Sequence, residues 1–293
     1  MSVGAPAMDA AAAGERPTTK LRWVGTAAVA VIVAWAAYGL DMKWGRLLEA
    51  PGDLYTVGRL MFTNMELSAF GRLMGEMWES IAIAWLGTLI AAVFAVPLAF
   101  LAAENLTARP IVGTVRQVFN VLRAIPEIIL AIAFVPIFGL TAKAGVLAIG
   151  IGSIGTLGKL CAEVLEGIPK GPVEAADAVG ANGVERLRWG VLPQSLPEIA
   201  SFVLYRFEIN IRASAVLGVI GAGGIGQVLS ESLRFKEWGT AGLALLIVVV
   251  VTMLIDAVSG RVRRRLVLGS RADTGVPTSA VEEAALGHVA EPI

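Results

Sequence analysis

Residues 170–198 read KGPVEAADAVGANGVERLRWGVLPQSLPE, a polar stretch between apolar segments long enough to cross a bilayer. Gly171-Pro172 opens a helix well, because proline at the first helical position gives up an N–H that had no partner. Glu174 then falls in the first turn, where the helix dipole favours a negative charge. Ala175, Ala176 and Ala178 are strong helix formers, and Gly180 suits the left-handed residue that closes the turn. The stretch predicts a two-turn helix on the surface of a membrane protein. A second short helix is expected over residues 184–189, before Leu192-Pro193 opens the next apolar segment.

The composition agrees with a membrane setting. Of 293 residues, 56% are hydrophobic and 16% charged, where soluble domains carry about 25% charged residues. Mean hydropathy is +0.72, and the apolar residues fall in blocks, as bilayer spans do. The formal net charge is zero, so nothing in bulk charge points to a nucleic-acid partner. Cys161 stands alone, which excludes an internal disulfide and a thiolate cluster. The single histidine, His288, lies in a polar C-terminal segment, so no metal site is expected. The predicted class is an all-α membrane protein with six transmembrane helices and lipid around it.

The chain divides into four parts. Residues 1–20 are rich in Ala, Gly, Pro and Thr and are expected to be disordered. Residues 21–74 supply an N-terminal span, uncharged over 23–40, and an amphipathic link. That apolar run is longer than a signal-peptide core, and a long tail precedes it, so an uncleaved anchor is expected. In the link, Leu60, Met61, Leu67, Phe70 and Met74 recur at helical spacing. Residues 75–258 hold five further spans, and 259–293 form a basic and then disordered tail.

Within the main part, the spans begin with residues 81–103. A third span, 116–141, carries Pro126, which should kink or break it. The fourth, 144–165, is studded with glycines that let helices approach closely. The fifth covers 199–220, residues 228–238 form a polar link, and 239–255 is the sixth. Lys20 and Arg22 before the first span, and Arg261, Arg263, Arg264 and Arg265 after the last, predict that both termini are cytoplasmic. That topology puts 170–198 inside and 41–79, 140–143 and 221–238 outside. Lys43, Arg46, Arg59 and Arg72 in the first outer segment run against the charge bias.

Two nucleotide-like spellings fail in context. Gly221, Gly223 and Gly226 spell G-x-G-x-x-G, but an apolar span precedes them, no βαβ unit follows, and position 246 is Leu where a ribose-binding acid would stand. With Gly224 they read instead as a glycine-rich break at the outer end of a membrane helix. Gly158-Lys159 resembles the end of a P-loop, but position 153 is Ser and Leu160 replaces the magnesium-binding Ser or Thr.

The spans carry ionisable residues, which are costly in lipid and tend to be functional. Glu208 and Arg212, Arg123 and Glu127, and Lys159 and Glu163 each stand four apart, the spacing of a helical ion pair. They are expected to neutralise each other and tie helices together. Arg206 has no acid four residues away and shares a neighbouring face with Asn210. Arg206 or Arg212 is the candidate for a water-filled path and an anionic solute, since guanidinium suits phosphate-like oxygens. No catalytic set is present, so an enzyme is not expected.

Glu174-Ala175-Ala176, Gly180 and Leu192-Pro193 resemble the cytoplasmic EAA loop of ABC importer permeases. LRAIPE at 122–127, GTLGKLCAEVLEGIP at 155–169 and LYRFEINIRASAVLGVIGAGGIG at 204–226 look like the phosphonate branch of that family. The resemblance covers roughly residues 75–258. One departure is Gly190, where the family carries an apolar residue two before Leu-Pro; it is expected to loosen the second short helix.

The resemblance implies a type I importer fold in which two permease copies, most simply identical, surround one path. It implies two ATPase subunits docked on the EAA helices, with ATP and magnesium on those partners and no cofactor on this chain. It also implies a periplasmic phosphonate-binding protein at the outer face. Phosphite is the closely related solute. Methionine is the alternative, because methionine permeases share the glycine-rich ending; two arginines in the fifth span favour an oxyanion over a zwitterion.

Overall fold

The computed structural model describes residues 19–39 and 44–272, and among them there is helix but no strand. The chain forms two compact units, 1–56 and 57–293. In the first, α1 is Thr19–Gly39. Its apolar part, Trp23–Gly39, exposes nearly every side chain, as a lipid-facing helix does. Helix α2, Trp44–Thr63, bridges the unit boundary and contains Pro51.

The second unit holds the membrane domain. A short 3₁₀ turn, Leu67–Ala69, leads into α3, Phe70–Ala102. Helix α4 is Arg109–Ala124, α5 is Glu127–Phe138 and α6 is Ala142–Glu166. The small helices α7, Gly171–Ala178, and α8, Gly183–Glu185, follow. A widened π segment, Arg186–Val191, runs without a gap into α9, Leu192–Gly218. Helix α10 is Ile225–Arg234 and α11 is Trp238–Ala272.

Three of these helices, α3, α6 and α11, are long and apolar enough to cross a membrane unaided. Helices α4 and α5 qualify together as one broken span, bent by 82°. Helix α9 has 27 residues, enough length for a crossing at about 1.5 Å per residue, but it carries the charges of the fifth span.

Several boundaries differ from the sequence reading. The link over 41–79 is not one amphipathic helix: α2 stops at Thr63 and α3 starts at Phe70, so the second span begins within the expected link. Residues 228–234 of the expected polar link are helical, as part of α10. Residues 184–189 do not form a separate helix, because the backbone continues through the π segment into α9. The third span does break at Pro126, one of the two outcomes expected there: Ile125 and Pro126 are both extended, and the pyrrolidine ring disfavours the helical conformation for the residue before it. The expected disorder of 1–20 and 270–293 falls outside the described residues, apart from residues 19–20 and 270–272, which are helical. Helix α11 thus runs on through the basic segment after Arg261.

Small side chains set the packing. Helix α3 lies along α6, with Ala84, Ala91, Ala95, Ala99 and Ala102 buried. A Cβ on Gly87 would stand 2.7 Å from Ile149 Cγ2, and one on Gly150 would stand 3.0 Å from Ile90 Cγ2. Helix α4 crosses α6 just as closely: a Cβ on Gly155 would stand 2.5 Å from the Phe119 carbonyl oxygen, and one on Gly158 would collide with the Phe119 ring. In lipid, where apolar side chains are no better off against protein than against acyl chains, this backbone proximity is what holds helices together. Gly158→Leu therefore displaces the buried Phe119 ring and costs about 1–3 kcal/mol. It lowers the melting temperature of the purified chain in detergent, whereas Gly113→Ala, where a Cβ meets nothing within 4 Å, leaves it unchanged or higher.

Candidate functional site

Two sets of residues stand out, one in the polar stretch at 170–198 and one in the middle of the helical bundle. In the first, α7 carries Pro172 at its start and Glu174 in its first turn, and Gly180 closes the following turn with φ of 78°. The Ala181 N–H donates to the Ala176 carbonyl at 3.1 Å, completing the closure. Asn182 then starts the next turn with a capping box: its side chain accepts from the Val184 and Glu185 amides, and Glu185 accepts from the Asn182 amide at 2.8 Å. Glu174, Ala175 and Pro193 are exposed, while Ala176 and Leu192 are half-buried.

Gly190 has a clear role in this packing. It is buried, and a Cβ there would stand 3.3 Å from Val173 Cα and 3.4 Å from the Pro172 carbonyl oxygen. The expected loosening of the second helix is thus replaced by a close seat for α7 on the π segment. Around this pair, Val179, Val184 and Trp189 are 84%, 76% and 67% exposed.

The second set is a polar relay. Arg206 on α9 is buried, and its Nη2 lies 2.5 Å from Glu127 Oε1, at the start of α5. Its Nε donates to Ser153 Oγ at 3.1 Å. Ser153, on α6, donates to Asn210 Oδ1 at 3.2 Å. Asn210 donates to Thr88 Oγ1 at 2.8 Å, and Thr88 donates to the Ala84 carbonyl at 2.7 Å. Ser153, Asn210 and Thr88 are fully buried. The chain of donors therefore runs one way, from a guanidinium to a backbone carbonyl, across three helices, α9, α6 and α3. Gly152 lies beside it, where a Cβ would stand 2.6 Å from Glu127 Cγ.

Two expected pairs are not formed. Glu127 is held by Arg206 rather than by Arg123, because the helix breaks between positions 123 and 127 and the i,i+4 geometry is lost. Arg206 is consequently not the unpartnered guanidinium that its own helix suggests. Glu208 does not pair with Arg212 either: Arg263 of α11 reaches Glu208 at 3.1 Å, and Arg212 reaches Asp256 of α11 at 3.3 Å. Arg263 also stacks on Tyr205, with its guanidinium carbon 5.6 Å from the ring centroid. Packing of α11 against α9 outcompetes the local pair. Lys159 and Glu163 do pair, at 3.7 Å on an exposed face.

The sequence reading missed Thr88, Ser153, Asp256 and Arg263. The hydroxyls carry no pattern that marks them, and Arg263 reads as part of a terminal basic cluster. Asp256 was legible as an acid at the end of the sixth apolar run.

At the other end of α9 the glycine-rich break appears as expected. Gly221, Gly223 and Gly224 have φ of 90°, 82° and 71°. Gly226 is buried where a Cβ would collide with the Ala215 carbonyl oxygen. The Ile225 amide donates to Ser80 Oγ at 3.0 Å, and Ser214 donates to the Ser80 carbonyl at 2.9 Å, so the break is fastened to α3. An open cleft of about 590 Å³ borders it, lined in part by Arg72, Glu76, Glu79, Lys143 and Glu231. Among the described residues no group of three or more acidic, Cys or His side chains is placed to hold a metal.

Comparison with known proteins gives a consistent picture. Residues 95–268 match the family described as the binding-protein-dependent transport system inner membrane component. The chain is 43% identical over 187 residues to the phosphite transport system permease protein PtxC of Stutzerimonas stutzeri, covering 64% of this chain and 68% of that protein. It is 39% identical over 212 residues to the phosphate-import permease protein PhnE of Mycolicibacterium smegmatis, covering 71% of this chain and 40% of that protein. Among solved structures, inward-facing MetNI methionine ABC transporter is similar with a TM-score of 0.62 at 22% identity, covering 69% of this chain and 99% of that one; at that identity the likeness concerns the fold.

The relay makes a stability prediction. Breaking a buried pair on one side leaves an uncompensated charge, at a cost of about 3–5 kcal/mol. Arg206→Gln and Glu127→Gln alone should each lower the melting temperature of the purified chain substantially. The double variant, which leaves no charge behind, should recover much of the loss.

Proposed function

This chain belongs to the family of binding-protein-dependent transport system inner membrane components, multi-pass permease subunits of ABC importers, and on that premise we propose that it forms the membrane path for phosphonates or a related phosphorus oxyanion such as phosphite. The observation that carries the reading is Arg206: a buried guanidinium fixed by Ser153, with its remaining edge on a carboxylate at the break of a membrane helix. A guanidinium in the bilayer core is costly, by about 2.5–3.5 kcal/mol on insertion scales, and packing alone does not call for one. Its planar fork matches carboxylate and tetrahedral oxyanion alike. A solute oxyanion can therefore take the place that Glu127 fills. The names of the two relatives support an oxyanion, and the solved methionine transporter, at 22% identity, speaks only to the fold.

The chain catalyses no covalent step. Two copies surround the path, the homodimer being the simplest arrangement, and both termini lie in the cytoplasm. Two ATPase subunits, which carry the ATP and magnesium, seat α7 in a surface groove. The exposed apolar Val179 at the end of α7, Val184 on α8 and Trp189 on the π segment suit such a seat. Closure of the ATPases pushes on α7, and the unbroken run through the π segment passes that push into α9 and hence to Arg206. A periplasmic binding protein delivers the solute to the outer face, at the glycine-rich break.

Two experiments test this reading in proteoliposomes with the partner subunits. Glu174→Lys leaves the protein inserted but abolishes ATP-driven uptake; unchanged uptake removes the coupling role. The charge-neutral double variant Arg206→Gln/Glu127→Gln lowers phosphite uptake by about tenfold, as loss of a charge-assisted contact requires, while basal ATP hydrolysis persists. Equal loss of both activities would reduce the pair to a structural tie.

A further inference from the structure

Helix α4 has three sides. Val112 and Phe119 are buried against the bundle. Ile111, Val118 and Val121 are 48%, 46% and 60% exposed and apolar, as side chains facing lipid are. Between these sides runs a polar sector on which Gln117, Asn120 and Arg123 are exposed. The close crossing at Gly155 and Gly158 fixes the rotation of α4, because Phe119 and Leu122 have no room to turn.

The sector rises into the membrane. Arg116 bonds both Glu104 and Glu166, where α3 and α6 end, and so marks the inner boundary. Arg123 stands seven residues further, about 10 Å along the axis, one turn before the break at Pro126. Asn120 bonds only Gln117, at 3.4 Å, and the structure gives Arg123 no ion pair among the described residues. A free guanidinium and exposed carboxamides at this depth do not face acyl chains, which offer no hydrogen bonds.

We infer that the Gln117–Asn120–Arg123 sector of α4 lines a water-filled inner half of the path, with Arg123 as a second oxyanion-binding position on the cytoplasmic side of the Arg206–Glu127 pair. The solute part of this inference rests on the function proposed above; the water-filled lining does not. Arg206 is closed off by its carboxylate, whereas Arg123 is open, so an oxyanion released from Arg206 meets an unpaired cation on its way inward. Both arginines use the same chemistry, and the broken helix separates them.

The test uses the intact chain. Its only cysteine, Cys161, is fully buried, so a single introduced thiol reports alone. In inside-out membrane vesicles, Asn120→Cys should react with a charged, membrane-impermeant methanethiosulfonate, and Val118→Cys should not. Phosphite should slow the reaction at Asn120→Cys, and adding Arg123→Gln should remove that protection. In proteoliposomes with the partner subunits, Arg123→Gln should lower phosphite uptake by about tenfold, and Arg123→Lys should restore most of it. An unreactive Asn120→Cys, or equal reaction at Val118→Cys, overturns the water-filled lining without touching the oxyanion reading. Labelling that follows the expected pattern but is indifferent to phosphite, together with unchanged uptake in Arg123→Gln, overturns the second binding position. If the unmodified chain takes up no phosphorus oxyanion at all, the oxyanion reading itself fails, and Arg123 as an oxyanion position fails with it.

Discussion

The contact between Arg206 and Glu127 is the constraint from which most of the membrane domain's interior follows. A guanidinium buried among helices needs a counter-charge and a partner for each remaining N–H. Glu127 supplies the counter-charge, and Ser153 accepts from Nε. Satisfying Ser153 in turn draws in Asn210, then Thr88 and a backbone carbonyl. Individual hydrogen bonds in membrane proteins are worth only about 0.6 kcal/mol on average, so the relay contributes less to stability than to geometry. It holds one cation in one place at the point where α4 and α5 part.

That geometry needs helices that come unusually near one another, and glycine and alanine supply the room. Gly152 leaves space for the Glu127 side chain, and Gly155 and Gly158 receive Phe119. Gly223 and Gly224 let the chain turn back after the C-terminal end of α9, in left-handed conformations that a side chain would strain. The same economy appears at the opposite end of the bundle, where Gly190 brings α7 onto the π segment. The small helix thus packs against the segment that runs on into the helix carrying Arg206.

Much of this was legible in the sequence. The α7 helix, its proline start and its glycine closure follow from local rules that act within a few residues, and the structure places them as those rules require. The glycine-rich break was legible for the same reason, and so was the exposed Lys159–Glu163 pair, which forms within one helix. The pairs that failed are instructive. Glu208 and Arg212 have ideal helical spacing, yet each is taken by α11. Arg123 and Glu127 also have it, but the proline between them turns the backbone by 82°. Spacing predicts a pair only if the helix continues and no stronger partner arrives from elsewhere.

The sequence by itself determined the class of molecule: apolar blocks, caps and the EAA-like stretch are properties of neighbouring residues, and the bilayer imposes helix on each block because its backbone can be satisfied in no other open form. Only the tertiary structure decided which charges meet. Arg206 and Glu127 are 79 positions apart, and Glu208 and Arg263 are 55 apart. In a low-dielectric interior a charge goes to the nearest group that can satisfy it, and nearness there is fixed by helix packing rather than by order along the chain.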